Sequence, residues 1–368
     1  MGKPEVALND MEQVFLYGPL RDDRLRAVVL GCDRAGAPAL LADHALLGEG
    51  AVAALAPHPD GSVEGLALAL EAGLLERLDF YQRVCGLEPM TVGPGRSWGG
   101  GEGPLWDALA WGEVWAATVR ATAGDVMRLF GRAEVAAVRV RYPLMLVRGG
   151  SRARAEREAG ATAVRRAAAE GDLRIASQRQ PYARFFAVEE YDIAFRQFGG
   201  GHSETVTRAV FLSGDAVTVL PYDPVRDRVL LVEQFRPGPF ARGDRQPWLL
   251  EAIAGRIDAG ETPEAAARRE AVEEAGLTLG ALLPVGNYYP SPAAKAEYLY
   301  SYLALCDLPD DAAGVFGLEG EAEDIRGHLV GFDALMQLMA SGEICNAPLM
   351  LSVLWLQRER AALRAGAA

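Results

Sequence analysis

Cysteine, histidine and long apolar runs are all scarce in this 368-residue chain. The four cysteines, Cys32, Cys85, Cys306 and Cys345, lie far apart and make no CxxC pair. The histidines, His44, His58, His202 and His328, are equally scattered, so neither a zinc knuckle nor a disulfide framework is encoded. Free thiols behaving as small hydrophobes are expected instead. No apolar run approaches the roughly 20 residues that a membrane-spanning helix requires. The segment MGKPEVALNDMEQ has acidic residues where a secretory leader needs an unbroken apolar stretch, and KPEVA after Gly2 lacks the Ser or Thr of a myristoylation site. These absences read as a cytoplasmic chain with no membrane partner. Positive charge is short as well, with a formal net charge of −13. Non-specific nucleic-acid binding needs a phosphate-neutralising surface, so no nucleic-acid partner is expected. A small anionic substrate is compatible, because bound cations and a few placed arginines reverse the field locally.

The composition is that of a globular protein, half apolar and 24% charged, and the length suits two domains. VFLYGPL (14–20) and EGLALAL (64–70) read as strands, and Leu74 to Val84 as a helix. GPGRSWGGGEGP (93–104) is too glycine-rich for regular structure and lacks the GK[ST] of a phosphate-cradling loop, so a flexible surface loop is expected. From Val114 to Phe130, and again from Ser151 to Glu170, Ala and Arg dominate and favour helix, and the second stretch has no sustained apolar stripe. That pattern predicts solvated connecting helix. The resulting domains are 1–115, a helical linker over 116–185, and 186–368. After residue 185 the pattern becomes mixed α/β: VTRAVFLSG, AVTVLPYD and VLLVEQF are strands, with the turn DPVRDR between the last two. Helices close the chain at 332–340 and 347–364.

The chemistry concentrates in GRIDAGETPEAAARREAVEEAGL, residues 255–277. Thr262 is a good N-cap, Pro263 suits the first helical position and Gly276 suits the stop. On the helix so bracketed, Glu270, Glu273 and Glu274 fall at i, i+3 and i+4 and crowd one face. Ala265, Val272 and Ala275 are expected to pack the opposite face on a sheet. Like charges at that spacing repel, unless they hold a hard cation that takes oxygen ligands and keeps several waters.

The same segment resembles the Nudix box. Gly255, Glu261, Arg269, Glu270, Glu273, Glu274, Gly276 and Leu277 occupy its fixed positions, and Ala271 is a small residue in its apolar slot. The resemblance implies an α/β (α+β) fold for this half, a mixed sheet between helices. It also implies Mg²⁺ as the cofactor, with Mn²⁺ as a substitute. Glu270 and Glu274 would be the principal metal ligands and Glu273 a supporting one, while Arg269 and Glu261 would hold the loop. The flanks, LPYDPVRD, LLVEQFR, WLLEAIAGRI, SPAAKAE, EAEDIR and GEICNA, are similar to bacterial ADP-ribose pyrophosphatases. By that likeness the Ala254 carbonyl completes the metal shell, Glu323 is a further ligand and Glu321 is the base for the attacking water. Phe198, Arg208, Arg236, Arg256 and Glu297 would contact the substrate: Phe198 by stacking on adenine, Arg236 and Arg208 at the phosphates, Glu297 on the sugar side. The implied reaction is hydrolysis of ADP-ribose to AMP and ribose 5-phosphate by a homodimer. Another nucleoside diphosphate sugar as substrate, and a non-catalytic nucleotide sensor, are the alternatives.

VFLYGPL with LERLDFYQRV resembles the gamma-glutamylcyclotransferase-like fold, an α+β barrel whose YG loop would be Tyr17 to Leu20. The position of that family's general acid/base glutamate holds Gln82, followed by Arg83 in place of Gly. An amide cannot take the proton, so a binding or structural module is expected. The fusion of the two halves also resembles bacterial proteins associated with tellurite resistance.

Overall fold

The computed structural model describes residues 11–158, 160–317, 320 and 323–367. The chain divides into two compact units, Met1–Ala167 and Ala168–Ala368. No helix among the described residues is long and apolar enough to cross a membrane.

The first unit runs β1 (Met11–Tyr17), α1 (Asp23–Leu30), β2 (Ala37–Leu47), β3 (Ala54–Glu71), α2 (Ala72–Val84), β4 (Glu88–Val92), β5 (Gly95–Gly99), α3 (Ala108–Ala110), α4 (Ala116–Met127), α5 (Val135–Arg139) and α6 (Tyr142–Arg157). Its sheet has the order β2–β3–β1–β5–β4, and no closed barrel forms among the described residues. The long strand β3 carries the curvature: its end pairs with β1 and its beginning touches β5 at Leu55 and Gly99. Two expectations change here. The glycine-rich stretch is not a loop throughout, since GRSWG forms β5 against β4 and buries Trp98 completely. Trp98 anchors it, donating its indole N–H to Asp79 at 3.0 Å.

The Ala- and Arg-rich stretch is not solvated connector up to Arg157; beyond it residues 160–170 are exposed, as expected, but carry no helix, and the boundary between the two units falls there. Helices α4 and α6 belong to the first unit and bury Val119, Ala123, Val126, Met145 and Ala153. A β-carbon added at Gly149 of α6 would stand 2.1 Å from Thr122 Oγ1 and 2.8 Å from the Thr118 carbonyl oxygen on α4. Small residues here are the contact surface itself, which is why no large apolar stripe marks it. Further on, residues expected in the linker form strand β6 of the second unit.

The second unit begins with a three-stranded antiparallel sheet, β6 (Leu173–Ala183), β7 (Ala187–Phe195) and β8 (Val206–Leu212). It continues with β9 (Ala216–Asp223), β10 (Arg228–Phe235), α7 (Pro237–Arg242), β11 (Trp248–Glu251), β12 (Ile253–Arg256), α8 (Pro263–Ala275), β13 (Leu282–Tyr288), β14 (Leu299–Leu305), β15 (Val315–Phe316), β16 (Ile325–Gly331), α9 (Phe332–Ser341) and α10 (Ala347–Ala367). The mixed sheet orders β13–β14–β9–β10–β16–β15, with β11 on β10 and β12 on β9. Strand alternation sorts its side chains into two layers. Val217, Val219, Leu230 and Val232 face α8, whereas Leu220, Tyr222, Val229 and Leu231 face α9 and α10. The result is the expected mixed sheet between helices.

A charged latch ties α10 to the turn between β9 and β10. Asp227 accepts from Tyr222 Oη at 2.8 Å, from Arg360 Nε at 2.9 Å and from Arg364 Nη1 at 3.3 Å. Its φ of 57° is left-handed, a conformation that Asn also tolerates. The Arg360 hydrogen bond, with lesser help from Tyr222 and the arginine charges, holds its carboxyl below the ordinary value. A depressed folded-state pKa stabilises above the unfolded carboxylate value of about 4 and is lost as pH falls through the folded one. Asp227→Asn is therefore expected to lower the melting temperature at about pH 7, with the gap to the parent narrowing as pH falls below about 4. A gap that stays constant across that range would remove the charge from the explanation.

Candidate metal and diphosphate site

Helix α8 forms as its ends dictate. Thr262 Oγ1 accepts from the Ala265 N–H at 3.2 Å, Pro263 opens the helix and Gly276 closes it at φ 61°. The buried face is Ala266, Ala267, Ala271 and Ala275, while Ala265 and Val272 are exposed, contrary to the sequence reading. The apolar contact turned out to run along the same side as Glu270 and Glu274, so helix and carboxylates approach β12 together. Ala271, fully buried, is small because the helix lies so close to the sheet.

That approach fixes the carboxylates. The Ala254 N–H donates to Glu274 Oε2 at 3.1 Å, and Glu274 is only 3% exposed. A β-carbon at position 255 would stand 1.8 Å from Glu270 Oε1, so only glycine leaves the Glu270 carboxylate its place. Arg269 gathers the neighbouring acids. Its Nε and Nη2 reach the two oxygens of Glu261 at 3.1 and 3.0 Å, and Nη1 reaches Glu270 at 2.7 Å and Glu273 at 2.9 Å. Nη2 also donates to the Arg256 carbonyl at 3.0 Å, tying the loop to β12.

Burial pushes the Glu270 carboxyl up to about 7, with the charges of Glu273 and Glu323 adding to it and Arg269 opposing. Glu274 rises to about 8, again first through burial, with Glu270 adding and the Ala254 N–H opposing. Burial works against the Arg269 charge, but its hydrogen bond to Glu261 and the Glu270 carboxylate hold it above its ordinary value.

These groups open onto a cavity of about 540 Å³. Of the residues expected from sequence, Ala254, Glu270, Glu273, Glu274, Glu323, Arg236, Arg256 and Glu297 all line it. Arg236 Nε donates to Glu251 at 2.6 Å, and the Arg256 guanidinium lies 4.1 Å over the Phe185 ring. Two expected residues are elsewhere. Phe198 is 96% exposed in the turn after β7, and Arg208 on β8 is exposed and donates to the Thr207 carbonyl; neither lines the cavity. Position in strand-rich sequence could not tell which aromatic faces the cavity. Glu321 lies outside the described residues. Sequence reasoning missed Phe185, Phe186, Ser213, Asp258 and Lys295, which also line the cavity. The signal was available in the aromatic pair just before β7 and in the lysine of SPAAKAE.

The donors available for a cation are oxygen only, carboxylates and the Ala254 carbonyl, which suits a hard divalent ion. Buried acids that repel one another are the arrangement such an ion would relieve. Among the described residues no group of three or more acidic, His or Cys side chains is placed to hold an ion by itself, and Arg269 stands between Glu270 and Glu273. An ion at Glu270 and Glu274 would take the rest of its shell from water and a backbone carbonyl. Gly255→Ala must displace the flexible tip of Glu270 while leaving α8 intact. Calorimetric titration with Mg²⁺ is expected to show binding weakened by about 10- to 100-fold, with little change in the melting temperature. Parent-like affinity would mean that Glu270 has no part in the ion's site.

Residues 212–350 match the NUDIX domain model. The ADP-ribose pyrophosphatase of Escherichia coli (strain K12) is 39% identical over 193 residues, 52% of this chain and 91% of that relative. The ADP-ribose pyrophosphatase of Haemophilus influenzae is 36% identical, over 52% of this chain and 89% of its own. The GDP-mannose pyrophosphatase of Salmonella paratyphi B is 31% identical over 150 residues, 41% of this chain and 77% of its own. With a relative covered almost end to end at that identity, and with the glutamate-bearing helix packed on β12 as described, the chain belongs to the NUDIX family.

Proposed function

We propose that this protein hydrolyses the diphosphate of ADP-ribose to AMP and ribose 5-phosphate, with Mg²⁺ as its cofactor and Mn²⁺ as a substitute. The observation that carries the reading is the pair of desolvated carboxylates, Glu270 and Glu274, facing a cavity large enough for a dinucleotide-sized ligand. The two ADP-ribose pyrophosphatase relatives add to it.

Glu270 and Glu274 are the principal metal ligands, with Glu273, Glu323 and the Ala254 carbonyl supporting them. A divalent cation held there supplies Lewis-acid polarisation of the diphosphate and a more acidic bound water. Arg236, its Nε on Glu251, presents its remaining donors to the phosphates. Phe185 with the Arg256 guanidinium over it forms a flat platform for the base. Glu321 takes the proton from the attacking water as its oxygen bonds to phosphorus and the bridging oxygen leaves with the other phosphate. Arg269 and Glu261 keep the loop in register and do not touch substrate.

A homodimer is part of this reading. Phe198 and Arg208 lie outside the cavity of their own chain, and a second copy is the way they would reach a substrate. Exposed Leu173, Ile175 and Phe195 on the same small sheet support association. The location is cytoplasmic in this reading. The first unit is read as a gamma-glutamylcyclotransferase-like module without turnover. Gln82 is buried at the acid/base position, and the crevice it lines with Tyr17, Leu20 and Tyr81 holds only about 20 Å³. The GDP-mannose pyrophosphatase relative favours a second reading, in which another nucleoside diphosphate sugar is the better substrate.

The purified chain, its solution mass measured and expected to be that of a dimer, would be offered ADP-ribose, ADP-glucose, GDP-mannose and NADH with Mg²⁺, and gamma-glutamyl amines in a parallel assay. Preferential release of AMP from ADP-ribose is expected, with no product from the gamma-glutamyl compounds. Glu270→Gln combined with Glu274→Gln should remove turnover, a fall of about 10³-fold or more, while keeping the fold. A parent rate in that double variant would sink the assignment, and binding without turnover in the parent would support a sensor.

A further inference from the structure

One row of side chains on β10 breaks its own pattern. Leu230 and Val232 turn to α8 and are fully buried, and alternation puts Gln234 and Arg236 on the same row. The direction is fixed by Arg236, whose Nε reaches Glu251, the residue opposite Val232 on β11. Gln234 stands opposite Leu249 and is 6% exposed, so an amide occupies a place that suits a hydrophobe. Its Nε2 is buried and has no hydrogen-bond partner among the described residues. A buried donor left without an acceptor costs stability, and an apolar side chain of the same shape would not. The amide therefore does not serve the fold.

The acceptors around it are carboxylates. Arg236 already holds Glu251, and the Ala254 N–H already holds Glu274. On the other flank β10 pairs with β16 as far as Glu233 and Arg326. Continuing that register brings Ile325 beside Gln234, with Glu323 one diagonal step away on the same face, within reach of a long side chain. The main chain at Glu323 is pinned, because a β-carbon at Gly317 would stand 2.7 Å from the Glu323 carbonyl oxygen and 2.9 Å from its Cβ. Glu323 lines the cavity, and its charge is felt at both Glu270 and Glu274. Like charges so placed push one another away. A neutral donor can hold the third acid in place without cancelling the charge that a cation needs, whereas arginine or lysine at 234 would cancel it. We infer that Gln234 is a positioning residue whose amide N–H takes the Glu323 carboxylate as its acceptor and holds it toward Glu270 and Glu274 when a divalent cation binds. This rests on the hydrolase reading, in which Glu323 supports the cation. Gln234 touches neither the substrate nor the reacting atoms.

The test uses the full chain and Gln234→Met, which keeps the length of the side chain and removes the amide. Without Mg²⁺ its melting temperature is expected to equal or exceed the parent's, since an unpartnered polar group has gone. Calorimetric titration should show Mg²⁺ bound about tenfold more weakly. Turnover of ADP-ribose at limiting Mg²⁺ should fall by a similar factor and recover as Mg²⁺ is raised. In a Glu323→Ala background the same substitution should weaken Mg²⁺ binding no further, because the acceptor is absent. A melting temperature well below the parent's would make the amide part of the core and overturn the inference. Parent-like Mg²⁺ affinity in Gln234→Met, or a loss that adds to that of Glu323→Ala, overturns it as well. The hydrolase reading survives each of those results, whereas a parent that binds no Mg²⁺ and cleaves no nucleoside diphosphate sugar removes both.

Discussion

Everything in the second unit depends on how closely α8 lies on β12. The contact is made of alanines on one side and Gly255 on the other, and a β-carbon at 255 would overlap the Glu270 carboxylate. Small residues are usually read as weak contributors to a core, since each buries little area. Here their small size is the contribution. They let a helix carry two carboxylates into a desolvated position that a bulkier contact would hold away from the sheet. Stability and function draw on the same few side chains, so the local packing cannot be improved by enlarging them without moving the acids.

Charge is managed by pairing rather than by neutral surroundings. Arg269 binds Glu261, Glu270 and Glu273, Arg236 binds Glu251, and Lys295 binds Glu297. A planar guanidinium with five donors can hold three carboxylates and a carbonyl at once, which an ammonium could not do. Glu270 shares Arg269 with two other acids and Glu274 takes one N–H from Ala254, and burial raises both carboxyls all the same. The acids that a cation would relieve are therefore also the ones least able to find relief elsewhere in the protein.

The parts of the fold that were legible in the sequence are those set by local rules. The capping of α8, the turn after β9 and the alternation of the sheet strands all follow from neighbours along the chain. The acidic face of α8 and several of the charged residues that line the cavity were legible too, because a dense motif and its flanks carry them. What stayed hidden depends on tertiary partners. Ala and Gly in α4 and α6 read as solvated helix, yet they form a helix–helix contact whose evidence is Thr122 against Gly149. GRSWG reads as loop, yet Trp98 finds Asp79 and draws it into the sheet. Which aromatic lines the cavity of its own chain is a question of the same kind, since Phe198 and Phe185 both fit the local pattern and only the packed structure decides which one meets Arg256.

The parallel pairing of β9 with β14 brings Ala216 beside Leu299, about eighty residues further along the chain. Between them lie β10, β12 and the whole of α8. Closing a loop of that length before any pairing rewards it places this contact late in folding. Among the described residues strand β12 pairs only with β9 in the sheet, so its seat is secure only when that strand is fixed on both sides. The alanines of α8, meanwhile, give a marginal helix until a sheet is there to receive them. A nascent chain released before residue 305 would therefore present the acidic helix without its floor, and the site would mature in one late step and not by gradual assembly.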